Sequence, residues 1–483
     1  MTSADSSNGA RRPRIGPPER VGVWTGVALV ALLGGGFAVG GFIPPPGPGE
    51  SAAEIASHYR DNVDLRRVGV IMLILGGTLL IPFGGGSSET EIDRVLAIDE
   101  HARLARIQAG ALGPRLEAQL NARGWTLGHY PDSFTHSTLG GWIATRSSGM
   151  QSDRYGDIAD LTRGLRVVTP HGLLVVRPHP AASNGPSVRE MVLGSEGRLG
   201  IITEATVHVR RLPERRVILG YLFPTFADGL AAMRDIAASE CQPSVTRVSD
   251  APETQFSFAT RKRPTVLDRL QSAALRAYLR HRKGFDLSQM CLSFIGYEGS
   301  ARHVARERKA VGRIVARHGG LCVGAGPGEL YDQKKFDTPY IRDFLLDRGV
   351  AADVSETAAP WSELERLYDA VNAAGHGAFA QLGVRGYLMC HLSHSYHAGA
   401  CLYFTFAFDP TPGGDLLAEY AVVKRAIQQA FVDCGATLSH HHAVGTEHAE
   451  WLEQDLSAPG VRLVEGLLAG ADPGRNLNPG KIV

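Results

Sequence analysis

The sequence predicts an α+β protein built in two parts behind a membrane-like leader. Three observations carry that expectation. Residues 131–213 hold two stretches, PDSFTHSTLGGWIATRSSGM (131–150) and GSEGRLGIITEATVHVRRLP (194–213), whose small residues, hydroxyls and glycines leave backbone amides open to a large anionic ligand; the second runs on into an alternating strand. Beyond residue 213, strand-like and helix-like segments alternate, which fits helices layered on an antiparallel sheet better than a doubly wound domain. Ahead of residue 84 stand two uncharged apolar runs.

Size and charge narrow the function. A chain of 483 residues with 44% apolar residues can bury more than one core. Lys+Arg 50 against Asp+Glu 49 leaves a net charge of +1 and no basic run interleaved with aromatics, so nucleic acid is not an expected partner. Six cysteines (Cys241, Cys291, Cys322, Cys390, Cys401, Cys434) lie far apart without a CxxC, the usage of reduced thiols in a cytosol-like compartment.

From the N-terminus, residues 1–20 are polar and basic. The run at 21–43, VGVWTGVALVALLGGGFAVGGFI, has 23 residues, and a helix needs roughly 20 to cross the hydrocarbon core. It is too long for the apolar part of a signal peptide and ends in PPPGPG, so a membrane anchor is expected. The second run, 68–83, has 16 residues and reads as the return half of a membrane hairpin or as a buried strand. With the basic terminus inside, a hairpin leaves the remaining chain in the cytoplasm. Gly84, Gly85, Gly86, Ser87 and Ser88 close that run and read equally as a linker or as a pyrophosphate loop.

Two short strands joined at Asp99 and Glu100 come next, then a short amphipathic helix at 113–123 with Leu116 and Leu120 on one face. A packed core would use more Leu and Val than stand around Asp132, Thr145 and Gly140, so this stretch is expected to line a ligand. Residues 165–176 read as a hairpin turning at 169–172. In the second part, strands are expected near 217–226, 244–249, 290–296 and 320–324, and helices near 227–239, 263–280 and 301–318.

The pieces PFGGGSS, TLGHYPDSFTHSTLGGWIATRSSGM and GSEGRLGIITEATV resemble the FAD-binding domain of the vanillyl-alcohol-oxidase superfamily, and more closely the alkylglycerone-phosphate synthase (alkyl-dihydroxyacetonephosphate synthase) family. The resemblance runs from about residue 82 to the C-terminus. It implies a vanillyl-alcohol-oxidase-type FAD-binding domain over 84–213, a substrate or cap domain over 214–435, and an active-site and flavin-contacting segment over 436–483. The strand, helix and strand that the family places before the glycine turn are replaced here by membrane-like sequence, so the first flavin subdomain is expected to be incomplete. By resemblance, FAD contacts fall on Gly84, Gly85, Gly86, Ser87 and Ser88, on Asp132, Ser133, Phe134, Thr135, His136, Ser137 and Thr138, and on Thr145, Arg146, Ser147 and Ser148. They continue at Glu196, Gly197, Arg198, Leu199, Gly200, Ile201, Ile202 and Asn478.

Three clusters in the second half could carry chemistry. PYIRD holds Arg342, whose guanidinium suits a phosphate or carboxylate, although a surface arginine reads the same way; the resemblance implies substrate binding. CHLSHSYHAGACLYFTF holds His391, His394 and Tyr396, and a buried phenol beside histidines needs a polar partner. By resemblance, Tyr396 faces flavin and substrate; His391, where the family's eukaryotic members carry arginine, and His394 are candidate substrate contacts beside it. SHHHAVG holds His440, His441 and His442; on an extended strand the first and third would share a face. Histidines move protons near neutral pH. His391, His394 and one of the triplet could also hold zinc, but no HExxH-type motif is present and no metal is expected. The resemblance makes the triplet catalytic.

The resemblance implies an FAD-dependent enzyme of ether lipid synthesis that exchanges the acyl chain of acyl-dihydroxyacetone phosphate for a fatty alcohol. Its partners would be a lipid-like substrate, a membrane and a second copy in a homodimer. Two alternatives stay open: an FAD-linked oxidase or dehydrogenase of a 2-hydroxy acid or alcohol, and a membrane-tethered, non-catalytic remnant without flavin.

Overall fold

In a computed structural model the chain is described over residues 17–39, 63–78, 92–259, 266–336 and 340–483, and it divides into two compact units, Met1–Glu91 and Ile92–Val483. In the first, the helices Pro17–Val39 and Val63–Thr78 pack against each other. Gly36 permits the approach: a Cβ there would stand 2.9 Å from the Gly69 carbonyl oxygen.

Among the described residues no helix is long and apolar enough to cross a membrane, so the expected one or two spans are not supported by the described residues. The second apolar run is helical rather than a strand, but its helix has 16 residues, or about 24 Å at 1.5 Å per residue, short of the roughly 30 Å hydrocarbon core. That helix also opens on exposed Asp64 and Arg67. Residues 40–43 and 79–83 of the two runs, and the turn from Gly84 to Ser88, lie outside the described residues.

The second unit has two sheets. Strands β1 (Val95–Asp99), β2 (Leu104–Gln108), β4 (Thr162–Thr169), β5 (Gly172–Val176) and β6 (Ile201–His208) form an antiparallel sheet in the order β1-β2-β6-β4-β5, and the short β3 (Trp125–Thr126) pairs with β7 (Arg210–Arg211). The expected turn after Asp99 and the hairpin at 169–172 are both present. The core of this part joins Ala105, Ile107, Val167, Ala205 and Val207 of the sheet to Leu116, Leu120, Trp142 and Ile143 of the helices Gly113–Asn121 and Leu139–Thr145.

The larger sheet contains β8 (Arg215–Phe223), β9 (Val245–Ser249), β10 (Cys291–Gly299), β11 (Leu321–Gly324), β12 (Ala351–Pro360), β13 (Gly386–Ser395) and β14 (Gly399–Phe408), in the order β11-β8-β10-β9-β13-β14-β12, with every pairing antiparallel. Helices Phe226–Ala237, Ala301–Arg317, Leu364–Leu382 and Leu416–Asp433 share one core with it, into which Val248, Leu392, Leu402, Phe404 and Phe406 point. Because side chains alternate along a strand, the residues between those apolar ones face the other way. Cross-strand register aligns Glu356 with Tyr403, and Tyr403 with His391; His391 is in turn aligned with Ser249, two residues from Arg247. One period-2 pattern thus builds a core on one face and a polar row on the other.

The two parts of this unit are tied by buried polar contacts. The Tyr155 hydroxyl donates to Glu298 at 2.6 Å, and the Gln151 amide reaches the same carboxylate. Asp153 accepts from the backbone N–H of Thr246 (2.8 Å) and of Ser395 (2.9 Å), which pins the ends of β9 and β13 to the first sheet's helices.

Candidate active site

Arg247, His391 and Tyr403 of the polar row line a small cavity together with Asp132, Ser148, Met150, Val245, Tyr331, Ser393, His394 and His441. A larger cavity of about 500 Å³ lies between Thr225, Gln255, Ser288 and Asp369 and holds none of the expected site residues.

His440, His441 and His442 do not form a strand. The segment bends, and the cause is Glu356, whose side chain is 0% exposed. Its carboxylate accepts the backbone N–H groups of His440 (2.9 Å), His441 (3.0 Å) and His442 (2.9 Å) and the hydroxyl of Ser439 (2.8 Å). Three successive N–H groups can converge on one anion only if the chain curls into a nest. A second carboxylate holds the next turn of the chain: Glu196, from the glycine-rich stretch, accepts from Val444 (2.9 Å) and Gly445 (3.0 Å). The triplet loop is therefore clasped from both sheets.

Curling sets the rings edge to face instead of alternating. His441 meets His442 at 4.4 Å between centroids and His440 at 5.1 Å, His394 stacks on His440 at 5.4 Å, and Tyr403 lies 5.5 Å from His442. Tyr396, at the tip of the β13–β14 hairpin, is within hydrogen-bond reach of His440 Nε2 (2.6 Å) and donates to Asp157 Oδ2 (2.9 Å). His440 Nδ1 lies 2.9 Å from His441 Nδ1.

Burial sets the charge states. It pushes His394 and His441 well below the usual imidazole range and lowers His442, with Glu356 opposing the shift for His441 and His442. Burial also opposes ionisation of Glu356, but the histidines and the N–H donors outweigh it and hold the carboxyl well below its usual range. Burial and then Asp157 raise Tyr396, so it stays a phenol. Asp153 is pushed up to about 7 by burial.

The donor atoms of Glu356, Cys401, His440 and His441 lie within 4.8 Å of one another, a set that could hold a metal. The Glu356 oxygens, however, already accept from five donors, Cys401 Sγ among them, so hydrogen bonding accounts for the cluster.

The other expected residues divide. His391 lines the cavity, its Nδ1 2.9 Å from Glu253 and its ring stacked on Tyr403 at 4.9 Å. Arg342 does not line it: its side chain is 54% exposed and lies 3.6 Å from Asp353. The cation that does line it is Arg247, ion-paired with Glu253 and 3.1 Å from His391. Sequence reading passes over Arg247; the available signal is a single charge inside the otherwise unbroken strand VTRVS. Asp157 and Glu356 are missed as well, and neither stands in a motif.

Most hydroxyls expected to face a cofactor are used locally. Ser133 donates to Ser137 (3.0 Å), Ser137 accepts from Trp142 Nε1 (2.6 Å), and Thr138 caps the Leu139–Thr145 helix. Thr145 donates to the Gly141 carbonyl (3.0 Å), Ser147 pairs with His129 (2.9 Å), and Thr135 lies 3.3 Å from His136. Phe134 is stacked in the core on Trp142, Arg146 pairs with Glu190, and Leu199 is buried. Ser148 differs, because its hydroxyl is buried, lines the cavity and lacks a partner. Gly197 (φ +79°) and Gly200 (φ +147°) supply bare backbone, and a Cβ on Gly200 would meet the Val168 carbonyl oxygen at 2.5 Å. Ile201 is exposed and Ile202 half-buried beside that turn. Asn478 donates to the Glu196 carbonyl (2.6 Å) and Arg198 to that of Val483 (3.1 Å), which brings the C-terminus onto the same wall. The orphaned Ser148 hydroxyl at the cavity, and the glycine turn that the Asn478 segment closes onto, fit a cofactor on this wall.

Residues 212–482 match the family described as FAD linked oxidases, C-terminal domain, and residues 76–176 match FAD binding domain. Alkyldihydroxyacetonephosphate synthase of Dictyostelium discoideum is 38% identical over 423 residues, 84% of this chain and 69% of that protein. The chain belongs to the alkyldihydroxyacetonephosphate synthase family of FAD-linked oxidases. The family member of Trypanosoma brucei brucei is 33% identical over 425 residues, with the same shares of 84% and 69%. A solved alkyldihydroxyacetonephosphate synthase structure superposes with a TM-score of 0.67 at 38% identity, covering 80% of this chain and 66% of that one. The chain thus spans about two thirds of the length of the family members it matches. FAD is the cofactor of this family's fold, and the FAD-oxidase, α+β architecture read from the sequence is the one observed.

Proposed function

We propose that this chain exchanges the acyl chain of acyl-dihydroxyacetone phosphate for a fatty alcohol, the reading supported by family membership and carried by one observation: the closed set of Tyr396, His440 and His441 against the flavin wall. The exchange must take a proton from substrate carbon or alcohol and return one to the leaving carboxylate. Imidazoles beside a phenol suit both directions. When bound, FAD supplies a conjugated ring that can draw electron density from the substrate carbon; Ser148, the Gly197–Gly200 turn and the C-terminal Asn478 segment would hold it.

The chain's own residues bind and orient. Arg247, beside the cavity and aligned by β9, meets the anionic headgroup, with His391 stacked on Tyr403 to fix its angle. His441 holds or gives the proton inside the cavity, and Tyr396 holds His440 through its hydroxyl. Met150 and Val245 exclude water on the apolar side.

The reading requires retained flavin. Loaded with FAD and freed of the excess, the protein should keep a visible flavin spectrum, and a 2-hydroxy acid should not bleach it. A colourless protein would defeat the reading, and bleaching by a hydroxy acid would favour an oxidase or dehydrogenase.

A further inference from the structure

We propose that Asp157 is the terminal proton acceptor of a directed relay that starts at Nε2 of His441 in the cavity and runs through His440 and Tyr396. This rests on reading the cavity as the exchange site. Each link is at hydrogen-bond distance: His441 Nδ1 to His440 Nδ1 at 2.9 Å, His440 Nε2 to the Tyr396 hydroxyl at 2.6 Å, and that hydroxyl to Asp157 Oδ2 at 2.9 Å.

The two ends fix the bond directions. Tyr396 has one proton, and it donates that proton to Asp157 Oδ2. His440 must then donate from Nε2 to the phenol oxygen, which leaves its Nδ1 bare. His441 therefore carries its proton on Nδ1, where Glu356 Oε2, at 3.4 Å from His441 against 3.9 Å from His440, favours it. These tautomers are assigned from the network. They leave the lone pair of His441 Nε2 for the cavity, which His441 lines.

A proton taken from substrate by His441 Nε2 displaces the Nδ1 proton to His440 Nδ1. The His440 Nε2 proton then moves to Tyr396 oxygen, and the phenolic proton moves to Asp157. Four bonds to hydrogen form and four break, and one negative charge passes from Asp157 to the substrate, so no imidazolium is stranded in the interior. Reversal returns the proton to the leaving group. Asp157 Oδ1 is buried without a partner, which leaves the carboxyl free to be protonated without breaking another bond.

The charged and titratable groups around the far end are His129, Asp153, Asp160, Tyr396 and Cys401. Around the near end they are Glu356, His440, His442, His394 and Tyr403. Asp157 is the group that accepts from the Tyr396 hydroxyl and has a second oxygen without a partner, which makes it the end of the relay.

The test uses the FAD-loaded full chain. Asp157→Asn can still accept from Tyr396 but cannot take a proton; kcat should fall about a hundredfold with KM little changed, and the acidic limb of the kcat profile should move to lower pH because the cavity base loses its distant anion. Asp157→Glu should recover much of that loss. Independently of turnover, spectra of ¹⁵N-histidine-labelled resting protein, assigned with His440→Asn and His441→Asn, should show His441 protonated on Nδ1 and His440 on Nε2. A pH profile unmoved by Asp157→Asn, or His441 carrying its neutral-pH proton on Nε2, would overturn the relay. A wild-type protein that shows these tautomers but never incorporates alcohol would instead overturn the functional reading.

Discussion

Glu356→Gln should cost this protein its activity by on the order of a hundredfold or more, and roughly 3 kcal/mol of stability, because the change sets an amide NH2 against backbone donors that now share one carboxylate. The substitution preserves volume, so packing is not the cause. Glutamine offers one acceptor oxygen: standing at Oε1 it can still take the N–H groups of His441 and His442 and the Ser439 hydroxyl, but its NH2 then stands at Oε2 against the His440 N–H, 2.9 Å away, and the negative charge that holds the nest is gone. Once the nest opens, His440 swings from Tyr396 and His441 from the cavity. Thermal denaturation and turnover should fail together, with FAD content held, since the flavin wall is stitched by Glu196 and Asn478 rather than by Glu356. The depressed carboxyl sets the pH sign: the wild-type contribution is complete above the ordinary glutamate range and is lost as pH falls toward the lower folded value. Full activity in the glutamine variant would show that the clasp is not what shapes the triplet.

Tyr396→Phe should be the most costly change that leaves the fold intact. The ring remains to pack against His440 at 5.5 Å, but the phenol that links His440 to Asp157 is gone. General acid–base links of this kind are worth about a hundredfold to ten-thousandfold, so kcat should fall into that range while melting temperature moves by a few degrees at most. The buried Asp157 oxygen left without its donor is the reason a small stability loss is expected at all. A phenylalanine variant within a few-fold of wild type in kcat would remove Tyr396 from the chemistry.

Much of the fold is legible because burial imposes a period. β14 reads Leu402, Phe404, Phe406 at every second residue, and those residues are the core face. The helix Ala301–Arg317 starts at the Ser300 cap and buries Val304, Val311 and Val315. Site residues are legible where several polar groups stand together in the chain, as in SHHHAVG. Conformation fixed from a distance is not. The triplet reads as a strand because Glu356, more than eighty residues away in sequence, supplies the anion that curls it. Likewise the serines and threonines of 133–147 read as ligand donors, but helix capping and local turns consume them, a competition that composition does not reveal. Arg342 and Arg247 exchange importance for a similar reason: exposure on a short helix is invisible in PYIRD, whereas the register that places Arg247 on the cavity face depends on pairing with β10 and β13.

The clasped histidines should support exchange of chains rather than oxidation. The direct measurement is incubation of the FAD-loaded chain with acyl-dihydroxyacetone phosphate and an isotopically labelled fatty alcohol. One labelled alkyl product should form for each fatty acid released, with no net flavin reduction and no oxygen consumed. Release of fatty acid without alcohol incorporation, or stoichiometric flavin reduction by the substrate, would contradict the exchange.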